Sequence, residues 1–180
     1  SLSDEEIINL KAFIWTCGKN SDGELGLGFK DGEVCLPRNV DQLRDFPVKQ
    51  MVASSTHSVL LTPLGEVHVT GAHFMANLGF KESKEESSKV HVITQLEGQK
   101  VTQICCSDFL TLVLSEYGEI YQFGGSNMFD KSNLPGDLND AYKVKGLEGK
   151  NFVQISCGNY HCAAIDSNGD LYTWGGGKTP

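Results

Sequence analysis

Residues 156–177 read SCGNYHCAAIDSNGDLYTWGGG, and their reading decides the fold. Cys157, His161 and Cys162 fall within six residues. Taken alone, they suit a thiol–imidazole metal site or a cysteine nucleophile with its base. Taken with the downstream run AAIDSNGDLYTWGGG, they suit one turn of a repeated scaffold. Asn168-Gly169 between two apolar runs is a hairpin signal, because both residues tolerate positive φ. The same plan recurs. Gly169 in DSNGDLYTWG has counterparts in Gly118 of SEYGEIYQFG and Gly65 of TPLGEVHVTG. The glycine that ends each segment recurs too, at Gly18, Gly71, Gly124 and Gly175, in steps of 53, 53 and 51 residues.

Short strands in a period of about 52 residues predict an all-β fold of β-propeller type, one small sheet per period. The expected division is an acidic N-terminal extension over 1–12, where DEEIINLKAF has helical spacing, and repeats over 13–180. Within the repeats, a closing strand spans 13–28, two units span about 48–99 and 100–150, and an incomplete unit spans 151–180.

The period also places the opening triplet. His161 lies eight residues before Gly169, His57 eight before Gly65, and Leu110 eight before Gly118. A position that takes His, Leu and His is structural rather than a ligand set. The next position takes Ser58, Thr111 and Cys162, all small. Ser54 and Ser107 match the small positions just before Gly158, as crowded inner strands require. Cys157, His161 and Cys162 are therefore expected to be structural, with His161 in buried hydrogen bonds, and no Cys-x-x-Cys spacing supports zinc.

Other chemistry is as sparse. Gly175–Thr179, GGGKT, lacks the glycine of a phosphate-binding loop, since Tyr172 stands five residues before Gly177. His68 and His73 straddle Gly71 and read as an exposed strand histidine and a loop histidine. Asp22, Glu24, Asp108, Asp137 and Asp140 read as ordinary loop acids, with none marked as perturbed. No Gly-x-Ser-x-Gly occurs. The expectation is no catalytic residue, no cofactor and no metal. The run KESKEESSK, Lys81–Lys89, reads as a solvated loop in which Ser83, Ser87 and Ser88 beside acids are phosphorylation candidates.

Bulk properties narrow the partners. The 180 residues carry a net charge of -8 with a pI near 5.0, which disfavours phosphate backbones. No apolar run approaches the roughly 20 residues that span a bilayer. SLSDEEIINLK lacks a signal-peptide pattern, so the six cysteines are expected as reduced thiols in cytoplasm or nucleus.

The units resemble the repeat of the regulator of chromosome condensation (RCC1) family. That repeat runs apolar strand, small-Cys-Gly-x-x-His, apolar strand, glycine turn, aromatic-x-Trp-Gly, then Gly-x-Leu-Gly. VQISCGNYHCAAIDSNGDLYTWG follows it nearly throughout, and FIWTCGKNSDGELGLG follows its second half. SSTHSVLLTPLGEVHVTG has Ser54 for the glycine and Thr70 for the tryptophan, while CCSDFLTLVLSEYGEIYQFG has neither the Cys-Gly pair nor the histidine. The resemblance implies a seven-bladed ring, of which this chain holds about three blades as part of a longer protein. It places Trp15 and Trp174 in the aromatic slot, and two tryptophans are too few for the light sensing of one branch of the family. It implies a protein-interaction scaffold that regulates a small GTPase. The alternative it implies is a guanine-nucleotide exchange factor for a Ran-type GTPase with chromatin association, although the acidic SLSDEEIINL departs from the basic tail used there.

This plan marks two surfaces. The edges FIWTCG and LYTWGG occupy equivalent slots and are expected to support self-association. Phe74, Met75, Met128 and Phe129 come after closing glycines. They either cover the outer strand of their own blade or form one interaction patch across two blades.

Overall fold

The computed structural model describes residues 3, 5–6, 13–72, 78–79, 88–96, 98–125 and 141–176. Among these the strands form four antiparallel sheets. The first pairs β1 (Trp15–Asn20) with β2 (Asp31–Asn39). The second runs β3 (Gln50–Ala53), β4 (His57–Leu61), β5 (Val67–Gly71) and β6 (His91–Val92). The third runs β7 (Val101–Cys106), β8 (Leu110–Ser115), β9 (Ile120–Gly124) and β10 (Tyr142–Lys143). The fourth holds β11 (Phe152–Cys157), β12 (His161–Asp166) and β13 (Leu171–Gly175). Each strand pairs with its neighbour in sequence, so every sheet is a meander, the blade of a β-propeller. The first strand of each later sheet packs on the first two strands of the sheet before it, β7 on β3 and β4, and β11 on β7 and β8.

Local chemistry builds each blade. The first hairpins close with Ser54 N donating to His57 O, Ser107 N to Leu110 O and Gly158 N to His161 O, each at 2.9 Å. Ser54 and Ser107 therefore stand opposite Gly158 itself, which corrects their expected match to the residues before it. Cys157 instead corresponds to Ala53 and Cys106. The second hairpins turn at Gly65, Gly118 and Gly169, with φ of 89°, 72° and 88°, where a side chain is strained.

Burial depends on how many neighbours a sheet has. Every residue of β8, LTLVLS, is buried, because the third sheet is covered on both faces. β12, HCAAID, alternates between exposed or half-buried and buried, because among the described residues no sheet covers one face of the fourth sheet. Separate cores fill the seams: Val59, Val69, Ile104 and Val113 between the second and third sheets, and Leu110, Leu112, Ile155 and Cys162 between the third and fourth. Ile14, Val40, Leu43 and Leu60 join the first sheet to the second.

The front of the chain holds more than the closing strand expected over 13–28, since β2 completes a two-stranded sheet. Its connecting loop lies on the second sheet, where Thr70 Oγ1 donates to Gly23 O and Ser58 Oγ to Glu24 O, both at 2.9 Å. Counting back from the closing glycines corrects the tryptophan slot. Trp15 stands three residues before Gly18, as Tyr172 does before Gly175, whereas Trp174 aligns with Cys17, Thr70 and Phe123. At the N-terminus, Glu6 N donates to Ser3 Oγ and Ser3 N to the Glu6 carboxylate, a capping box.

Candidate functional site: the seams between sheets

His57 is fully buried at the seam of the second and third sheets. Its Nδ1 hydrogen-bonds Ser54 Oγ and Thr56 Oγ1, each at 3.1 Å, and its Nε2 bonds Thr111 Oγ1 of the next sheet at 2.8 Å. Burial pushes its pKa down to about 4, so the ring is neutral at pH 7. One seam further, Leu110 stands in the histidine's place and Cys162 in the threonine's, and both belong to one apolar core. A polar pair at one seam is replaced by an apolar pair at the next. His161, at the equivalent position of the fourth sheet, is exposed rather than in buried hydrogen bonds. The described residues place no further sheet against it.

The loops beside these positions are linked as well. Asp108 accepts from Ser55 Oγ at 2.6 Å, from Ser55 N at 2.9 Å and from Asn159 Nδ2 at 3.0 Å, tying three sheets together. The Ser55 hydroxyl leads in holding its carboxyl below the ordinary carboxylate range. This loop acid, read from sequence as unremarkable, is a latch between blades. Glu24 is likewise buried rather than an open loop acid, and Asp137 and Asp140 lie outside the described residues. His68, expected exposed, has a side chain only 13% accessible and meets the Phe46 ring edge-on at 4.7 Å; His73 lies outside the described residues.

Sequence reasoning missed a pair of glutamine clips. Gln50 Nε2 donates to Ile104 O at 2.9 Å while its Oε1 accepts from Ile104 N at 3.1 Å. Gln103 does the same to Ile155, at 3.3 and 3.0 Å. Each carboxamide thus saturates both backbone groups of one residue on the next sheet's first strand. The signal was present as the spacing Gln50, Gln103, Gln154, in steps of 53 and 51. Gln154 is exposed.

The thiols belong to the same seams. Cys105, Cys157 and Cys162 pack in or against the core between the third and fourth sheets. Burial pushes the Cys106 and Cys162 thiols up to about 12, and a hydrogen bond with Cys157 together with burial raises Cys105. Such thiols are poor nucleophiles. Among the described residues, no three His, Cys, Asp or Glu side chains are grouped to hold a metal ion. Phe74, Met75, Met128 and Phe129 lie outside the described residues.

Where the second hairpin of one sheet meets the start of the next, a groove opens. Between the second and third sheets it measures about 500 Å³ and is lined by Glu66, Val67, Val92, Ile93, Leu96 and Lys100. The equivalent groove between the third and fourth sheets holds only about 120 Å³.

Two repeat models, both described as the regulator of chromosome condensation (RCC1) repeat, match residues 13–61 and 152–178. This chain is an RCC1-like domain. Curated relatives of the domain include the human probable E3 ubiquitin-protein ligase HERC3, 33% identical over 91% of this chain and 16% of that protein. The ultraviolet-B receptor UVR8 of Arabidopsis thaliana is 27% identical over 95% of this chain and 39% of the receptor. The chain thus spans about a sixth of the ligase. Among solved structures, Prp20p of Saccharomyces cerevisiae superposes with a TM-score of 0.79 at 23% identity, over 99% of this chain and 45% of Prp20p. Human WBSCR16 superposes at 0.78 and 21% identity, over 92% of this chain and 43% of its own. These likenesses show that the RCC1-like domain has the fold of a β-propeller. Among the described residues, no helix is long and apolar enough to cross a membrane.

Proposed function

We propose that the RCC1-like domain is an intracellular protein-interaction scaffold that regulates a small GTPase. The observation that carries this reading is the locking of two successive seams by side-chain clips, Gln50 to Ile104 and Gln103 to Ile155, which makes a frame for loops and grooves. Prp20p, which shares the fold, is described by its binding to Gsp1p and histones. That supports the second reading, a Ran-type exchange factor. The ligase activity in the name of HERC3 belongs to a protein of which this chain covers 16%. On this proposal the repeats occupy 13–180 after an acidic extension, and Phe74, Met75, Met128 and Phe129 contribute to partner binding.

The test is a panel of small GTPases assayed for capture by the chain and for accelerated nucleotide release. Capture without faster release supports the scaffold. Faster release moves the function to exchange, and no capture of any GTPase overturns both.

A further inference from the structure

The two grooves are built from equivalent residues but end in opposite states. Backbone bonds establish the equivalence. Ile93 N donates to Val67 O as Val144 N does to Ile120 O, and Gln99 N to Leu96 O as Lys150 N does to Leu147 O. Val92 pairs with His68 on β5 as Lys143 pairs with Tyr121 on β9. Glu66 thus corresponds to Glu119, Val92 to Lys143, Gln99 to Lys150 and Val101 to Phe152.

The narrow groove is filled by its own chain. Lys143 Nζ donates to Glu119 Oε1, and Tyr121 OH donates to Glu119 Oε2 at 2.7 Å. Phe152 lines the same groove. In the open groove the groups around the equivalent glutamate are smaller or uncharged. Val92 brings no cation to Glu66, and Val101 leaves the volume that Phe152 takes up. The His68 ring, 3.8 Å from Glu66, has its pKa lowered by burial. Gln99 Oε1 is buried without a hydrogen-bond donor. Among the described residues that line it, Glu66 and Glu116 face one ammonium, Lys100, in a chain of net charge -8. What remains is an apolar floor, a surplus of acceptors and about 500 Å³ of space, within the usual size of a binding pocket.

We propose that the groove between the second and third sheets binds an extended protein segment bearing a lysine or arginine, whose cation pairs with Glu66 as Lys143 pairs with Glu119. The proposal rests on the scaffold reading and names the chemistry of one partner segment. The narrow groove supplies the precedent, a lysine carried on a strand. Its aliphatic stem would cover Val92 and Leu96 while its charged head reaches the carboxylate.

The probe is a set of acetylated octapeptide arrays, randomised except at the fourth position, which is fixed as Lys, Arg, norleucine or Glu. Binding to the 180-residue chain is read by fluorescence polarisation. Lys and Arg arrays should bind, with norleucine and Glu arrays at least roughly tenfold weaker. Val92→Lys should plug the groove from within and abolish binding without lowering the melting temperature, since Val92 is half exposed on an edge strand. Glu66→Gln should weaken binding at least roughly tenfold, and Glu119→Gln should leave it unchanged. No binding by any array, equal binding of norleucine peptides, or full binding by Val92→Lys would overturn the proposal. GTPase capture is measured in parallel. Loss of peptide binding with capture intact overturns the groove alone, and the reverse overturns the GTPase reading alone.

Discussion

Replacing Gly65 or Gly118 with alanine should cost about 2–4 kcal/mol more than replacing Gly169. All three sit at second-hairpin turns with φ of 89°, 72° and 88°. The strain of a side chain there, about 1 kcal/mol, is common to the three and cancels. What differs is the neighbouring sheet. A Cβ on Gly65 would lie 2.8 Å from Val101 N and 2.9 Å from Lys100 Cα, and one on Gly118 would lie 2.9 Å from Phe152 N. On Gly169 it would meet nothing within 4 Å. Backbone atoms yield only if the bonds Val101 N to Gly65 O, 3.2 Å, and Phe152 N to Gly118 O, 3.0 Å, are stretched. Overpacking of this kind costs about 1–3 kcal/mol, and a weakened hydrogen bond about 1 kcal/mol more. At about 2–4 °C per kcal/mol for a chain of this size, the gap is roughly 5–15 °C in melting temperature. Circular dichroism of the three single variants, melted and titrated with urea, measures it. Equal losses in all three would mean that the turn conformation alone demands glycine and that the seam contact contributes nothing.

The glutamine clips give a parallel contrast. Gln103→Ala strands the N–H and C=O of Ile155 and should cost about 2 kcal/mol in urea unfolding, whereas the exposed Gln154→Ala should cost under about 0.5 kcal/mol. The two seams suggest a swap. His57→Leu alone should destabilise, and adding Thr111→Cys, which reproduces the Leu110 and Cys162 pair, should recover part of the loss. His57 also sets a pH dependence. Its folded pKa, about 4, lies below the ordinary 6.5, so the unfolded chain takes up the proton first. Its contribution is complete above pH 6.5 and falls as pH drops toward 4, by about 3 kcal/mol in all. The double variant should flatten that part of the stability profile. Cys17 and Cys35 are exposed, so a thiol reagent at pH 8 should label two cysteines quickly and the other four only in denaturant; four or more fast thiols would contradict the buried seam.

The repeat and the strand content of this protein were legible in sequence because they rest on local physics. A turn glycine, an Asn-Gly pair and an apolar run on either side specify a hairpin within about a dozen residues. Gly65, Gly118 and Gly169 announced three of them, and β12 and β13 fall where HCAAID and LYTWG placed them. The slot of Trp15 was misassigned because an aromatic near a closing glycine was matched by type rather than by distance from Gly18. β2 went unread because DGEVCLPRN carries a proline and little alternation, and its strand forms by pairing with β1.

Everything that distinguishes one repeat from another was decided by tertiary structure. His57 and His161 share a motif position, yet one is buried and the other exposed. The difference lies in Thr111, some fifty residues away on the next sheet. The glutamine clips act on Ile104 and Ile155 across the same separation, so only the fold reveals what the spacing of Gln50 and Gln103 is for. The open groove exists because Val92 and Val101 stand where Lys143 and Phe152 stand one seam later, a comparison with meaning only after the sheets are packed. A blade's hairpins form from its own residues, but its burial, its pKa values and its binding surfaces come from the blade beside it.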